Sequence, residues 1–234
     1  MNLSHGRSPR WRRGLLVAAV SAGLLVAAAV DMPVFHWCRA HLRGYDRTDF
    51  FHFLRSGGYL PTWMLAAFAL ALVDRKQSRQ GKLGGLSRGL CLFLAPVIAG
   101  VMAEVIKIAC RRERPTISGI WYSFRPFSEK AFSSGGLSLP SSHASLAFAA
   151  AFALCRLFPS AWPAWLALAI GTGMTRIVEG AHFCSDVYAG AVVGATAAWL
   201  SAKLVGRIEC ALSADRRAAR PAGVLAPTLD AALR

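Results

Sequence analysis

Acidic side chains are scarce in this chain. Twelve Asp and Glu stand against 27 Lys and Arg over 234 residues, a formal net charge of +15. Charge of either sign is sparse, 17% of residues, while 55% are apolar. Together with a positive mean hydropathy, that balance excludes an ordinary soluble domain and points to a membrane protein. No aromatic-and-basic module accompanies the positive charge, which leaves no nucleic-acid partner to expect. In a membrane protein, cytoplasmic loops and anionic headgroups account for the same excess. Paired cysteines are missing too. Cys38, Cys91, Cys110, Cys155, Cys184 and Cys210 are scattered with no Cys-x-x-Cys spacing, so neither a disulfide framework nor a zinc site is supported. A bridge between Cys110 and Cys184, which flank the polar motifs below, is the one pairing with a rationale; free thiols are the simpler reading.

Apolar runs of full bilayer length are also few. Six candidate spans fall at about 14–30, 59–73, 88–109, 143–158, 162–179 and 186–206, several nearer 16 than 20 residues. The length suits one domain. Its expected parts are a basic cytoplasmic tail over 1–13, an all-α bundle of six transmembrane helices over 14–210, and a disordered cytoplasmic tail over 211–234, rich in Ala, Arg and Pro. Residues 158–161 form a tight hairpin connection between the fourth and fifth spans. A cleaved leader ending near Ala27-Ala28-Ala29 is the competing reading of the first span; it would leave five.

Basic residues orient the bundle. With the N-terminus inside, the two tails, the loop around Arg75–Arg88 and the short turn bearing Arg156 hold 16 of the 27 Lys and Arg. Both termini are therefore expected in the cytoplasm. Two longer loops, 31–58 and 110–142, then face outward. The first carries Phe35, Trp37, Phe50, Phe51, Phe53 and Leu54, and the second Trp121, Tyr122, Phe124, Phe127 and Phe132. Such aromatics sit at headgroup level, and a sharper reading has them shaping a lipid entrance.

Polar residues at span ends are costly and invite a functional explanation. They cluster at three places on the outer side: Lys107 through Arg114-Pro115; Pro140-Ser141-Ser142-His143; and Thr175-Arg176, followed by His182 and Asp186. Lys107, Arg114 and Arg176 are three cations, enough to neutralise a phosphate dianion, and the arginine fork suits phosphate. Ser141 and Ser142 open a helix, where backbone N–H groups favour an anion; helix capping explains a serine there equally well. His182 and Asp186, four apart, share a face if helical. The carboxylate then fixes the imidazole tautomer and leaves the other nitrogen free to attack phosphorus. His143 takes the remaining role, protonating the leaving oxygen and later activating water. Singly, each residue has a bland reading as a headgroup contact, a cap or a surface pair. Their combination does not.

Together these residues resemble the type 2 phosphatidic acid phosphatase superfamily, which includes the vanadium haloperoxidases. Its signature runs Lys, six residues, Arg-Pro; then Pro-Ser-Gly-His; then Ser-Arg, five residues, His, three residues, Asp. Here Ser142 replaces the glycine and Thr175 the last motif's serine. The resemblance implies a six-helix bundle in a bacterial inner (cytoplasmic) membrane, its site facing the periplasm or exterior, with no cofactor and no metal. It implies phosphate binding by Lys107, Arg114, Ser141, Ser142 and Arg176, and catalysis by His143 as acid, His182 as nucleophile and Asp186 as its partner. The expected activity is hydrolysis of a lipid phosphomonoester or diphosphate through a phosphohistidine. A phospholipid, an isoprenyl phosphate or a lipid A type molecule would serve as substrate. A lipid phosphotransferase and a vanadium-dependent haloperoxidase are the alternatives. Arg111, Arg112 and Glu113, inside the first motif's variable stretch, receive no role.

Overall fold

The computed structural model describes residues 10–42, 44–77, 86–115 and 122–218. Its elements are eight α-helices: α1 (Arg10–Ala29), α2 (Asp31–His41), α3 (Asp49–Ser56), α4 (Leu60–Gln77), α5 (Ser87–Cys110), α6 (Ser142–Leu157), α7 (Trp162–Val178) and α8 (Cys184–Ala218). Two isolated backbone bridges, Arg112 to Phe124 and Glu113 to Leu137, are the strand-like pairings among the described residues. The all-α expectation holds.

Helices occupy all six apolar runs. Three contain segments long and apolar enough to cross a membrane: Trp11–Ala29, Ser87–Cys110 and Cys184–Leu212. A fourth crossing is reached if α3 and α4, bent by 65°, are taken as one span. With 16 and 17 residues, α6 and α7 are only about 24–26 Å long, short of a hydrocarbon core of about 30 Å. The connection between them is the expected tight one, a 3₁₀ turn over Pro159–Ala161. The last helix is longer than expected. It passes residue 210 and continues to Ala218, while residues 219–234 lie outside the described residues.

The packing is that of a membrane protein. At the centre, α6 turns Ala144, Ala147, Ala149, Ala150, Ala151 and Ala153 inward. Small side chains let helix backbones approach closely where lipid supplies no hydrophobic drive between helices. Large apolar side chains point outward instead: Leu16, Leu25, Leu65, Phe68, Val101, Val105 and Met174 are exposed. An apolar belt of that extent on a water-facing surface would be untenable. α1 lies against α8, where the Tyr188 hydroxyl donates to the Val20 carbonyl at 3.3 Å. The considered Cys110–Cys184 bridge is not formed.

Two segments expected as interfacial loops have more structure than composition suggested. Residues 31–56 fold into α2 and α3, and α3 buries Phe51 while exposing Phe50 and Phe53. In the second loop the buried Arg111 guanidinium donates to the carbonyls of Arg125, Ala131, Pro126 and Glu129. Phe124, Phe127 and Phe132 are left exposed around it. Trp121 lies outside the described residues.

Candidate active site

Three polar clusters far apart in sequence meet at one end of the bundle, and hydrogen bonds and an ion pair join each to the others. Lys107 Nζ donates to Ser142 Oγ, tying the end of α5 to the start of α6. The Ser141 N–H donates to the Asp186 carbonyl at 3.0 Å, tying α6 to α8. Arg112 Nη1 lies 3.3 Å from Asp186 Oδ1, tying the segment after α5 to α8. Arg176 belongs to the same group, because its carbonyl accepts from the N–H of His182 at 3.2 Å.

Local rules put each residue there. Ser141 is the N-cap of α6, and its buried hydroxyl accepts from the Ala144 N–H. The capping reading of Ser141 is therefore realised, and it aims the helix start at the site. Lys107 sits in the last turn of α5, buried, with Glu104 Oε1 at 3.3 Å one turn back. Ser142 Oγ also donates to Glu104 Oε1 at 2.8 Å, so Glu104, Lys107 and Ser142 form a closed polar triangle. Arg114 is exposed. Arg176, in the last turn of α7 and buried, donates from Nη1 to Glu179 Oε2, and Arg55 Nη1 donates to the other oxygen of Glu179 at 2.6 Å.

His182 and Asp186 meet, but not as one face of a helix. α7 ends at Val178, Gly180 adopts φ 69, and α8 begins only at Cys184. His182 therefore stands on the turn, and Asp186 in the first turn of α8. Asp186 Oδ2 accepts from the Phe183 N–H at 2.8 Å, the acid half of a capping box. The same oxygen lies 3.6 Å from His182 Nδ1, wider than a hydrogen bond. Both residues are buried, at 2% and 0% exposure. Burial pushes the His182 imidazole below its ordinary value, against the opposing pull of Asp186. With Nδ1 turned to Asp186, Nε2 is the ring nitrogen that this carboxylate leaves unengaged.

His143, in the first turn of α6, carries a buried Nε2 without a hydrogen-bond partner. The Tyr59 ring stands edge-on at 5.2 Å, and Gly58 lies against its other side.

Sequence reasoning missed Asp31, Arg55, Glu104, Arg112, Tyr122, Glu179 and Ser185. Arg112 and Asp31 carried a signal. An arginine just past one apolar run and an aspartate just past another are costly to bury singly and stable as a pair. Glu104 and Glu179 each stand three residues from a cation that the sequence expected at the phosphate, Lys107 or Arg176, a spacing at which helical side chains touch.

An apolar helical bundle that gathers cations around a buried histidine–carboxylate pair at one end defines an integral membrane protein. The PAP2 superfamily model matches residues 88–209, and the chain belongs to that superfamily. It is 43% identical over 124 residues to a lipid A 1-phosphatase of Rhizobium johnstonii, covering 51% of this chain and 48% of that one. It is 42% identical over 124 residues to a lipid A 1-phosphatase of Rhizobium etli, covering 51% of each. The chain thus spans about half the length of the curated relatives it matches. Among solved structures it resembles Aquifex aeolicus LpxE, at TM-score 0.55 and 20% identity over 74% of this chain and 95% of that one. It also resembles the first transmembrane PAP2-type phosphatidylglycerolphosphate phosphatase from Bacillus subtilis, at TM-score 0.58 and 17% identity over 82% and 96%. Both likenesses support the fold.

Proposed function

We propose that this protein is a membrane lipid phosphate phosphatase whose substrate is a lipid A type molecule bearing a phosphomonoester. The observation that carries the activity is the set of links between Lys107 and Ser142, Ser141 and Asp186, and Arg112 and Asp186, which gather three phosphate-directed segments into one site. The names of the two rhizobial relatives favour lipid A over a phospholipid or isoprenyl phosphate. On this reading all six apolar helices cross the inner membrane, and the site faces the periplasm, where such a lipid would be met in the outer leaflet.

The geometry supports the following chemistry. Lys107, Arg114 and Arg176 hold the phosphate oxygens, with Ser141 and Ser142 at the start of α6. His182 Nε2 attacks phosphorus in line, forming the P–N bond of a phosphohistidine as the P–O bond to the lipid breaks. His143 gives its proton to that oxygen, so the lipid leaves as an alcohol. His143 then takes a proton from water, whose oxygen attacks phosphorus and releases inorganic phosphate and free His182. Asp186 holds Nδ1 and stabilises the imidazolium that develops. One water is consumed in each cycle.

The test is phosphate release by purified protein from a panel of lipid A, phosphatidylglycerol phosphate, phosphatidate and an isoprenyl diphosphate, with an acceptor lipid also present. Release from lipid A above the others is expected. Stoichiometric transfer to the acceptor would replace the hydrolase by a phosphotransferase, and no reaction with any member would refute the reading.

A further inference from the structure

Behind Asp186 lies a buried polar cage that the chemistry above does not use. Asp31, at the start of α2 and 1% exposed, accepts from the Ser185 N–H and the Tyr122 hydroxyl, each at 2.8 Å, and from the Ser185 hydroxyl. Arg112 Nη2 reaches the same carboxylate at 3.3 Å. From its other arm, Nη1 donates to Ser185 Oγ at 2.9 Å and faces Asp186 Oδ1 at 3.3 Å. The guanidinium lies over the Tyr122 ring at 3.9 Å and the Phe183 ring at 4.7 Å. One planar cation is thus fixed from four directions and set between two buried carboxylates.

We propose that Arg112, anchored by Asp31, is a positioning residue that sets the orientation and effective charge of Asp186, and through it the readiness of His182 to attack. The proposal rests on the phosphatase reading for its purpose, not for its geometry. Asp186 has two oxygens with different tasks: Oδ2 serves the Phe183 N–H and His182, and Oδ1 faces Arg112. An unopposed pair of buried carboxylates, Asp31 and Asp186, would hold a proton on His182 and silence its lone pair. Arg112 offsets one of them. The remaining negative charge is enough to stabilise the imidazolium that forms only when phosphorus is attacked.

The groups acting on His182 come from every element around it: Asp186 on α8, Arg176 on α7, Arg114 beyond α5 and His143 on α6. Arg112 and Asp31 act through Asp186. Their signs give opposite expectations. Removing the cation (Arg112→Gln) should raise the pH at which His182 titrates by about one unit, and removing the carboxylate (Asp31→Asn) should lower it by a similar amount.

The experiment is a 15N NMR titration of histidine-labelled protein in detergent, with the His182 signal assigned by its loss in His182→Asn. Arg112→Lys keeps the charge without the fork. It should titrate near wild type yet lose about tenfold or more in kcat with little change in KM. Should Arg112→Gln not fold, the near-isosteric Asp31→Asn still decides through its downward shift. Shifts of the same sign in the two variants, or an unmoved His182, would overturn the proposal and leave Arg112 a purely structural tie. The titration is read whether or not any lipid is hydrolysed, whereas the lipid panel alone judges the phosphatase reading.

Discussion

Gly58, at the elbow between α3 and α4, offers the most direct test of the role given to His143. A Cβ built there would lie 2.5, 2.7 and 2.8 Å from Cδ2, Cβ and Cγ of His143. Carbon atoms in contact sit at about 3.5–4.0 Å, so Gly58→Ala must push the imidazole roughly 1 Å from its place. The near contact at Cβ means that rotating the ring does not relieve the clash. Overpacking of this kind costs about 1–3 kcal/mol of stability. A 1 Å misplacement of a catalytic group costs on the order of 10²-fold in rate, within the ~10²–10⁴ range of general acid help. The loss should depend on the leaving group. A lipid alkoxide needs the proton, so phosphoenzyme formation from lipid phosphates should fall about 10²-fold. An aryl phosphate needs little protonation, and its rapid-mixing burst should be largely spared, as in His143→Ala; His182→Ala should lose both. Gly57→Ala is the control, since its Cβ would meet Thr172 Oγ1 at 2.5 Å and has no His143 atom among its nearest neighbours. Folded Gly58→Ala protein with wild-type lipid turnover, or with equal losses on both substrates, would refute the assignment of His143 as the acid.

Two further outcomes are expected. Reporter fusions after Lys82 and after Ser134 should give opposite topologies, the first cytoplasmic and the second external; matching answers would overturn the six-span layout. Phosphate release should survive strong chelation, because the cations assigned to the phosphate are Lys107, Arg114 and Arg176, and vanadate should inhibit as a five-coordinate mimic of phosphoryl transfer. Loss with EDTA and recovery with magnesium would move the mechanism to metal-assisted hydrolysis.

What could be read in the sequence was set by short-range rules. Apolar runs became helices, because a segment apolar all round leaves the backbone no better way to satisfy its hydrogen bonds in lipid. The named site residues were visible because polar side chains at the ends of such runs stand out. What escaped reading was tertiary. Asp31 meets Ser185 across 154 positions, and Arg112 meets Asp186 across a sharp turn whose left-handed Arg111, φ 55, closes α5. The shared helical face of His182 and Asp186 did not form, since α8 starts between them; the capping contact to Phe183 brings the pair together instead. Tyr122, grouped by composition with headgroup aromatics, is drawn inward by the Asp31 carboxylate. The tail beyond 210 was read from its Ala, Arg and Pro content, yet the helix continues through its first eight residues.

The scarcity of acidic residues acquires a meaning in this arrangement. The few present at the site are spent on fixing cations that are costly to bury alone. Glu104 stands one turn before Lys107 on α5, and Glu179 one turn after Arg176 where α7 ends, the same spacing used in mirror order. Glu179 is shared with Arg55, which α3 delivers from the interfacial segment. Lys107 pairs with Glu104, and Arg176 and Arg55 share Glu179; with Arg114 counted among the cations assigned to the phosphate, that leaves an excess of two positive charges where a phosphate dianion would bind. Behind His182 the balance is reversed, with Asp31 and Asp186 against Arg112 alone, an excess of one negative charge beside the imidazole. On the phosphatase reading, the two compartments are charged for the two halves of one event: one receives the dianion, and the other stabilises the cation that its capture creates. Neutralising Glu179 should then strengthen binding of phosphate or vanadate while loosening Arg176, so tighter inhibition with slower turnover is the expected pairing. Glu179→Gln, assayed for vanadate inhibition and kcat together, separates this from a simple salt-bridge role, in which binding and turnover would weaken in step.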